Sequence, residues 1–182
     1  MNNLSCPEIE ALMQKQYVEA QKVFVENNPI ILLDITDQYT AVVYGTDYNK
    51  PEWIKLLPIG VVNISRDHFK HCPPRPVEVE EAIMIVEDEV MSLKKEIGRV
   101  TELVTFNSDI REIAILADNV NEAPVIILPI KEMESVFSRF ATIINGFPAS
   151  MDALPETDSF AATLLILREF MHHLGFNKIT VK

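Results

Sequence analysis

The sequence predicts one α/β domain in which a mixed five-stranded sheet is flanked by helices. The chain has 182 residues, 48% hydrophobic and 24% charged, which is a typical composition for a globular domain with a full core. Short apolar, β-branched runs follow the first helix, and amphipathic helical repeats dominate the remainder. The predicted order is three strands, then helices alternating with two further strands.

The first predicted element is a helix over residues 7–24, where apolar residues recur at helical spacing. Pro29 interrupts this pattern. We therefore expect residues 1–28 to form an N-terminal helix that leads into the domain, and residues 29–182 to form the domain itself.

Three strands are predicted next. The apolar run at residues 30–33 is typical of a buried central strand, and residues 41–44 form a second β-branched run. Residues 53–57 and 59–64 predict a longer third strand that a proline interrupts. Because the links between these runs are short and polar, they favour an antiparallel meander.

The clearest helix follows a proline-rich loop. Acidic residues occupy its outer faces, and its apolar residues recur at steps of three and four, namely Val79, Ile83, Val86, Val90, Leu93 and Ile97. Gly98 is expected to end this helix. Residues 102–106 predict the fourth strand, and Ser108 or Asp109 a cap for the next helix. The short apolar run at residues 125–128 fits either a helix or a strand.

The remainder of the chain predicts two helices and a closing strand. Residues 130–144 place large apolar side chains on one helical face. Residues 157–159 offer a cap for the last helix, Gly175 ends it, and residues 178–181 form the final strand. A meander followed by alternating helices and strands is the ribonuclease H-like order, with crossovers that should be right-handed.

Charge and cysteine content narrow the functional classes. The net charge of −11 argues against nucleic acid and against an anionic membrane surface, because both would repel the chain. No apolar run is long enough to cross a membrane. The two cysteines, Cys6 and Cys72, form no CxxC pair and fit a reducing cytoplasm, although the sequence leaves a disulfide between them open.

Four segments carry a resemblance to a known family. They read IILLDITDQYTA at residues 30–41, LPIGVVNIS at 57–65, PPRPVEVEEA at 73–82, and GFPASMDALPETDSF with the helix and strand that follow it, up to residue 181. These segments are similar to the second domain of the exopolyphosphatase / guanosine-pentaphosphate phosphatase (Ppx/GppA) family. In that family they are the phosphate turn, a Leu-Pro-Leu-Gly strand, a proline loop with an acidic helix, and the closing helix and strand.

The resemblance implies one half of a hydrolase of the actin-like ATPase superfamily, in which two ribonuclease H-like halves hold a phosphoanhydride together with a divalent metal. Each half of such an enzyme supplies a glycine-rich turn. In this chain the family's Asp, Ile and Thr remain, whereas its three glycines, serine and catalytic glutamate are replaced. The turn reads Asp34, Ile35, Thr36, Asp37, Gln38, Tyr39, Thr40 and Ala41.

The replaced glycines argue against a phosphate site. None of the five glycines lies in this turn, and a phosphate cradle needs inward N–H groups without Cβ atoms. The Asp37 carboxylate would repel an anion by roughly 4 kcal/mol at about 4 Å and an effective dielectric near 20. Loss of the catalytic glutamate would lower the rate of hydrolysis by a factor of ~10²–10⁴. The resemblance also implies a second phosphate turn, the family's Gly-Gly-Thr after the fourth strand, which falls near Asn107, Ser108 and Asp109. The arginine and aspartate of the loop that starts at residue 146 fall at Met151 and Ala153, and the glycine before the last helix falls at or near Asp158.

The leading hypothesis is a non-catalytic, degenerate domain that acts as a binding, regulatory or assembly module. It predicts no catalytic residue, no cofactor, and a homodimer or partner domain over the face formed by residues 34–41. The vestigial phosphate-binding candidates are Asp34, Thr36, Asp37, Gln38 and Thr40.

Two metal-dependent alternatives stay open. One is an active phosphohydrolase on polyphosphate or guanosine pentaphosphate, with Mg²⁺ held by Asp34 and Asp37. The other is a zinc site at His68, His71 and Cys72. A surface turn is the favoured interpretation of that segment, because two prolines adjoin the cysteine and no fourth ligand lies nearby.

Overall fold

Thirteen helices and strands build the described part of the chain, which in this computed structural model comprises residues 6–24, 28–97, 102–118 and 123–182. In order they are α1 (Cys6–Gln21), β1 (Ile30–Ile35), β2 (Thr40–Gly45), β3 (Trp53–Leu57), α2 (Val61–His68), α3 (Pro76–Met91), β4 (Glu102–Thr105), α4 (Ser108–Asp118), β5 (Ile126–Pro129), α5 (Ile130–Ile144), a 3₁₀ turn (Ala149–Met151), α6 (Asp158–Leu174) and β6 (Lys178–Val181).

The strands form one mixed sheet in the order β3-β2-β1-β4-β6-β5. The first three strands are antiparallel neighbours, β4 runs parallel to β1 and β6, and β5 runs antiparallel to β6. The predicted meander and the ribonuclease H-like α/β class are therefore confirmed. Over the described residues the sheet has six strands rather than the five predicted. The sixth is β5, in which Ile126 and Leu128 are buried while Ile127 is exposed, as expected for a pleated edge strand.

The sheet separates two apolar layers. Helices α2 to α6 pack on one face and form the larger core. Helix α1 packs on the other face, over β1 and β2. The hydroxyl of the fully buried Tyr17 ties α1 to the link between β2 and β3, since it donates to the Asp47 carbonyl at 2.7 Å and accepts from Gln21 Nε2 at 2.7 Å.

Residues 59–64 differ from the sequence-based expectation. Their apolar run predicts an extension of β3, but α2 begins at Val61. The buried residues Val61 and Ile64 are three apart, which fits a helix, and over six residues this spacing is hard to distinguish from a strand. The deciding interactions are non-local, because the N–H groups of Val61 and Val62 bond to carbonyls in the β1–β2 turn.

Helix α3 starts and ends earlier than its apolar repeat. Pro76 occupies the first turn, and Glu78 Oε2 accepts from the Arg75 N–H at 3.0 Å, closing the N-terminus. The helix ends at Met91 and gives way to turns, although Leu93 is still buried. Gly98, the expected stop, lies outside the described residues.

The caps of α4 and α6 show one wrong and one correct prediction. Helix α4 is capped by Asn107 rather than by Ser108 or Asp109, since Asn107 Oδ1 accepts from the first N–H groups of the helix. Helix α6 is capped by Thr157, one of the three candidates at residues 157–159, and closes at Gly175 with φ of +76°, as predicted. Within the described residues, none of the helices combines the length and apolar character that a membrane span requires.

Candidate functional site

The turn between β1 and β2 lies where two parallel strands end together. Residues 36–39 form this turn, and the pairs Asp34–Ala41 and Ile35–Thr40 close the ladder beneath it. Because β4 runs parallel to β1, the segment after β4 lies beside the turn. The Asn107 side chain connects the two, donating from Nδ2 to the Ile35 carbonyl at 2.6 Å. The structure thus brings both positions at which the family resemblance implies phosphate turns to one edge of the sheet.

The turn satisfies much of its own hydrogen bonding. The N–H of Thr36 donates to the Tyr39 carbonyl at 2.9 Å. The Thr36 hydroxyl donates to the same carbonyl at 2.7 Å and accepts from the Tyr39 N–H at 3.2 Å. Two of the four N–H groups of the turn are therefore used inside it. The hydroxyl of Thr36, at a position where the resemblance implies glycine, is what makes the second of these bonds.

The carbonyls of the turn cap helix α2. Those of Thr36 and Asp37 accept from the N–H groups of Val61 at 2.9 Å and Val62 at 2.8 Å. The next carbonyl, that of Gln38, accepts from Asn63 Nδ2 at 2.8 Å. Helix N-termini attract anions through N–H groups of this kind. Here two of the leading N–H groups of α2 are occupied by the protein's own backbone.

Gly60 lets α2 start against the turn. A Cβ at this position would lie 2.4 Å from the Gln38 carbonyl carbon, 2.5 Å from the Asp37 oxygen and 2.5 Å from the Tyr39 nitrogen. Its φ of −119° is extended, so the requirement is for space and not for an unusual conformation. The buried Thr40 hydroxyl adds a further contact by donating to the Ile59 carbonyl at 2.6 Å. Sequence reasoning missed this role of Gly60, although it had singled out the surrounding segment.

The neighbouring helix N-termini are also capped internally. Asn107 Oδ1 accepts from the N–H groups of Asp109 at 2.9 Å and Ile110 at 3.0 Å, and Thr157 Oγ1 accepts from the Phe160 N–H at 3.2 Å. The starts of α4 and α6 share a small cavity of about 70 Å³, and its lining comprises Asp109, Glu112, Thr157, Ser159, Phe160 and Thr163. Two carboxylates in this lining disfavour an anion there.

Asp34 and Asp37, the candidate metal ligands, occupy different environments. Asp34 is half-buried on β1, whereas Asp37 is exposed at the tip of the turn. Burial raises the pKa of the Asp34 carboxyl above its ordinary value, and a hydrogen bond from the Asn107 side chain opposes part of that rise. Within the described ranges, no group of three or more His, Cys, Asp and Glu side chains is placed to hold a metal ion.

The residues considered for zinc have separate partners. His71 Nδ1 lies 2.7 Å from Glu78 Oε1 on α3, and Cys72 Sγ donates to the Glu156 carbonyl at 3.2 Å. Cys72 is an exposed free thiol, so the disulfide that the sequence left open is not formed. Burial, followed by the nearby Asp158 carboxylate, raises the pKa of this thiol.

Known structures share this fold. Comparison of the sequence with protein-family models and with curated proteins gives no match. Among solved structures, the Aquifex aeolicus Ppx/GppA phosphatase in its type II variant matches with a TM-score of 0.77 and 21% identity, over 91% of this chain and 57% of that one. Another structure of the Aquifex aeolicus family member gives 0.78 and 20%, over 93% and 56%. An exopolyphosphatase from Cytophaga hutchinsonii gives 0.71 and 17%, over 93% and 59%.

At these identities the matches establish a common fold. They confirm, at the level of the fold, the resemblance to Ppx/GppA proteins that the sequence indicated. The chain spans a little over half the length of the structures it matches, 56–59% for the three compared.

Proposed function

We propose that this chain is a non-catalytic domain of the Ppx/GppA type that acts as a binding, regulatory or assembly module. The observation that carries the proposal is the engagement of the β1–β2 turn with α2. Three successive carbonyls of that turn accept hydrogen bonds from α2, and Gly60 lets the two backbones meet. The backbone of the turn is therefore engaged in holding α2 against the sheet.

The β1–β2 turn does not offer the donors that a phosphate-binding turn needs. A cradle offers several backbone N–H groups to one anion. Here the N–H groups of Thr36 and Tyr39 are bonded within the turn, and the exposed side chain next to them is the carboxylate of Asp37. An approaching phosphate would meet negative charge and few unused donors.

The position of the family's catalytic glutamate supports the same conclusion. Ala41 stands there, and it is fully buried opposite Asp34. A methyl group neither orients nor deprotonates an attacking water. Restoring a carboxylate at this position would place a charge in the apolar layer beneath α1, since Ala41 belongs to that layer.

One observation favours the active-hydrolase alternative. The raised pKa of Asp34 is the kind of perturbation that occurs at functional carboxyls. In this alternative Asp34 and Asp37 hold Mg²⁺ and the substrate is polyphosphate or guanosine pentaphosphate. The non-catalytic proposal attributes the raised pKa to partial burial on a central strand.

A phosphate-release assay separates the two. Purified protein is incubated with polyphosphate or guanosine pentaphosphate, with and without Mg²⁺, alongside the variants Asp34→Ala and Asp88→Ala. Asp88 is an exposed carboxylate on α3 and serves as the matched control. We expect the same background release in every sample. Mg²⁺-dependent release that Asp34→Ala abolishes and Asp88→Ala preserves would refute the proposal and establish the hydrolase.

The proposal includes a cytoplasmic location and a partner over the residue 34–41 face, either a second copy or another domain. The side chains of Asp37 and Gln38 are the most exposed part of this face. Light scattering should give a dimer mass that the double variant Asp37→Arg/Gln38→Arg reduces to a monomer. A wild-type monomer at every concentration would eliminate the second-copy form.

A further inference from the structure

The outer face of α3 carries an aligned apolar ridge. Val77, Met84 and Met91 are 56%, 59% and 37% exposed, and they follow one another at intervals of seven residues. At 3.6 residues per turn, such positions drift by only about 20° per step. The three side chains therefore form one stripe along roughly 21 Å of helix. We refer to these three residues as the α3 ridge.

Acidic side chains border the α3 ridge on both sides. Glu80 and Glu87 follow it on one side, and Glu81 and Asp88 follow it on the other, again seven residues apart. Glu87 lies 3.7 Å from His173 on α6. The other three are exposed, and none of them has an ion-pair partner in the part of the chain that the structure describes.

The ridge is more than the usual scatter of exposed apolar residues. Single exposed apolar side chains are normal on protein surfaces. Among the described residues, however, four of the eleven exposed large hydrophobic side chains lie on this one 16-residue helix, the fourth being Ile85. The opposite face of α3 already supplies the core through Val79, Val86 and Val90, so packing inside this domain does not require the ridge.

We propose that the α3 ridge docks a basic amphipathic helix of a partner protein. Such a helix would place its apolar stripe on the ridge and its Lys and Arg residues against the two acidic rows, as helix-binding surfaces do. The two methionines on the ridge adapt to varied apolar partners. This surface is separate from the β1–β2 turn, and the inference holds whether or not the turn is catalytic.

Charge selects this occupant over two others. A second copy docking ridge to ridge would bring two sets of four carboxylates together, and like charges at close range are unfavourable. An anionic membrane would be repelled by the same rows and by the net charge of −11. A cationic helix turns both features into attraction.

The test uses a synthetic peptide as the probe. The probe is a fluorescein-labelled peptide of three heptads, with Leu at the two core positions of each heptad and Lys or Arg elsewhere. It is titrated with full-length protein, and binding is followed by fluorescence anisotropy. A second peptide has Glu in place of every Lys and Arg. Protein variants are Met84→Glu on the ridge and Glu81→Lys/Asp88→Lys in the acidic row beside it. Met151→Glu is the matched control, because Met151 is a 72% exposed methionine outside α3.

The proposal predicts saturable binding of the basic peptide that weakens with added salt, and no binding of the acidic one. Met84→Glu and the charge-reversal variant should each weaken binding by at least about tenfold, whereas Met151→Glu should change it by less than about twofold. Circular dichroism should show unchanged folding, since all of these side chains are exposed. Absence of binding, equal weakening by Met151→Glu, or concentration-dependent self-association abolished by Met84→Glu would each overturn the basic-helix assignment.

Discussion

Replacing Gly60 with alanine tests whether the β1–β2 turn is held by α2. The backbone of Gly60 is extended, with φ of −119° and ψ of 166°, which alanine adopts freely. Alanine also reduces the conformational entropy of the unfolded chain, and at a compatible, open position that alone stabilises a protein by about 0.4–1 kcal/mol. Backbone preference therefore predicts that Gly60→Ala raises the free energy of unfolding, whereas the contacts in the structure predict that it lowers it.

The expected magnitude follows from the contacts. The new Cβ would meet three backbone atoms at 2.4–2.5 Å, so α2 and the turn must separate by about 0.6 Å to reach 3.0 Å. Overpacking of this kind costs about 1–3 kcal/mol. The bonds of Val61 and Val62 to the turn would lengthen as well, and each contributes about 1 kcal/mol. After the unfolded-state gain is subtracted, we expect a net destabilisation of about 2–4.5 kcal/mol.

Urea unfolding followed by circular dichroism measures this difference. Gly146→Ala is a useful comparison, because its Cβ would have no neighbour within 4 Å while its φ of +102° disfavours alanine. That variant should lose only the conformational term, about 1–2 kcal/mol. If Gly60→Ala proves as stable as the wild type or more stable, the close contact is wrong, and the main argument for an engaged turn fails with it.

Three further predictions concern other parts of the fold. Burial opposes ionisation of Glu78, but hydrogen bonds from backbone N–H groups and from a histidine outweigh it and lower its pKa from 4.5 to about 2. Its contribution to stability is therefore present above pH 4.5 and lost towards pH 2, so urea unfolding should show Glu78→Gln destabilised at pH 7 and equal to wild type near pH 2; a constant difference would contradict this. Tyr17→Phe removes the buried hydroxyl that ties α1 to the β2–β3 link and should cost about 1–2 kcal/mol in the same measurement, whereas no loss would show that α1 is not anchored there. In a Cys6→Ser background, Asp158→Asn should accelerate alkylation of Cys72 at neutral pH, because it removes a carboxylate that raises the pKa of the thiol; an unchanged rate would exclude that carboxylate as a cause.

Local patterns predicted most elements because they depend on near neighbours. Helix α5 spans residues 130–144, as its apolar periodicity indicated. Thr157, one of the three predicted cap residues, starts α6, and Gly175 ends it in the left-handed conformation that glycine adopts readily. Capping and periodicity involve residues within one or two turns of each other. The meander could be predicted for the same reason, because short polar links join strands that are neighbours in the sequence.

The errors fall where distant residues decide the outcome. Residues 59–64 are apolar enough for a strand, yet Val61 and Val62 become helical where turn carbonyls more than twenty positions away accept from their N–H groups. Asn107 caps α4 in place of the predicted Ser108 or Asp109. Its side-chain oxygen accepts from the helix, and its side-chain nitrogen donates to the Ile35 carbonyl on β1. Neither interaction leaves a periodic signal in the sequence.

The same distinction between local and distant determinants applies to the candidate site. The sequence by itself determined that the turn lacks glycine and that Asp37 brings a negative charge, because these are properties of residue types. Only the tertiary structure decided what the turn does instead. The direction in which a backbone carbonyl points depends on the element packed against it, and here that element is α2, brought into contact by Gly60.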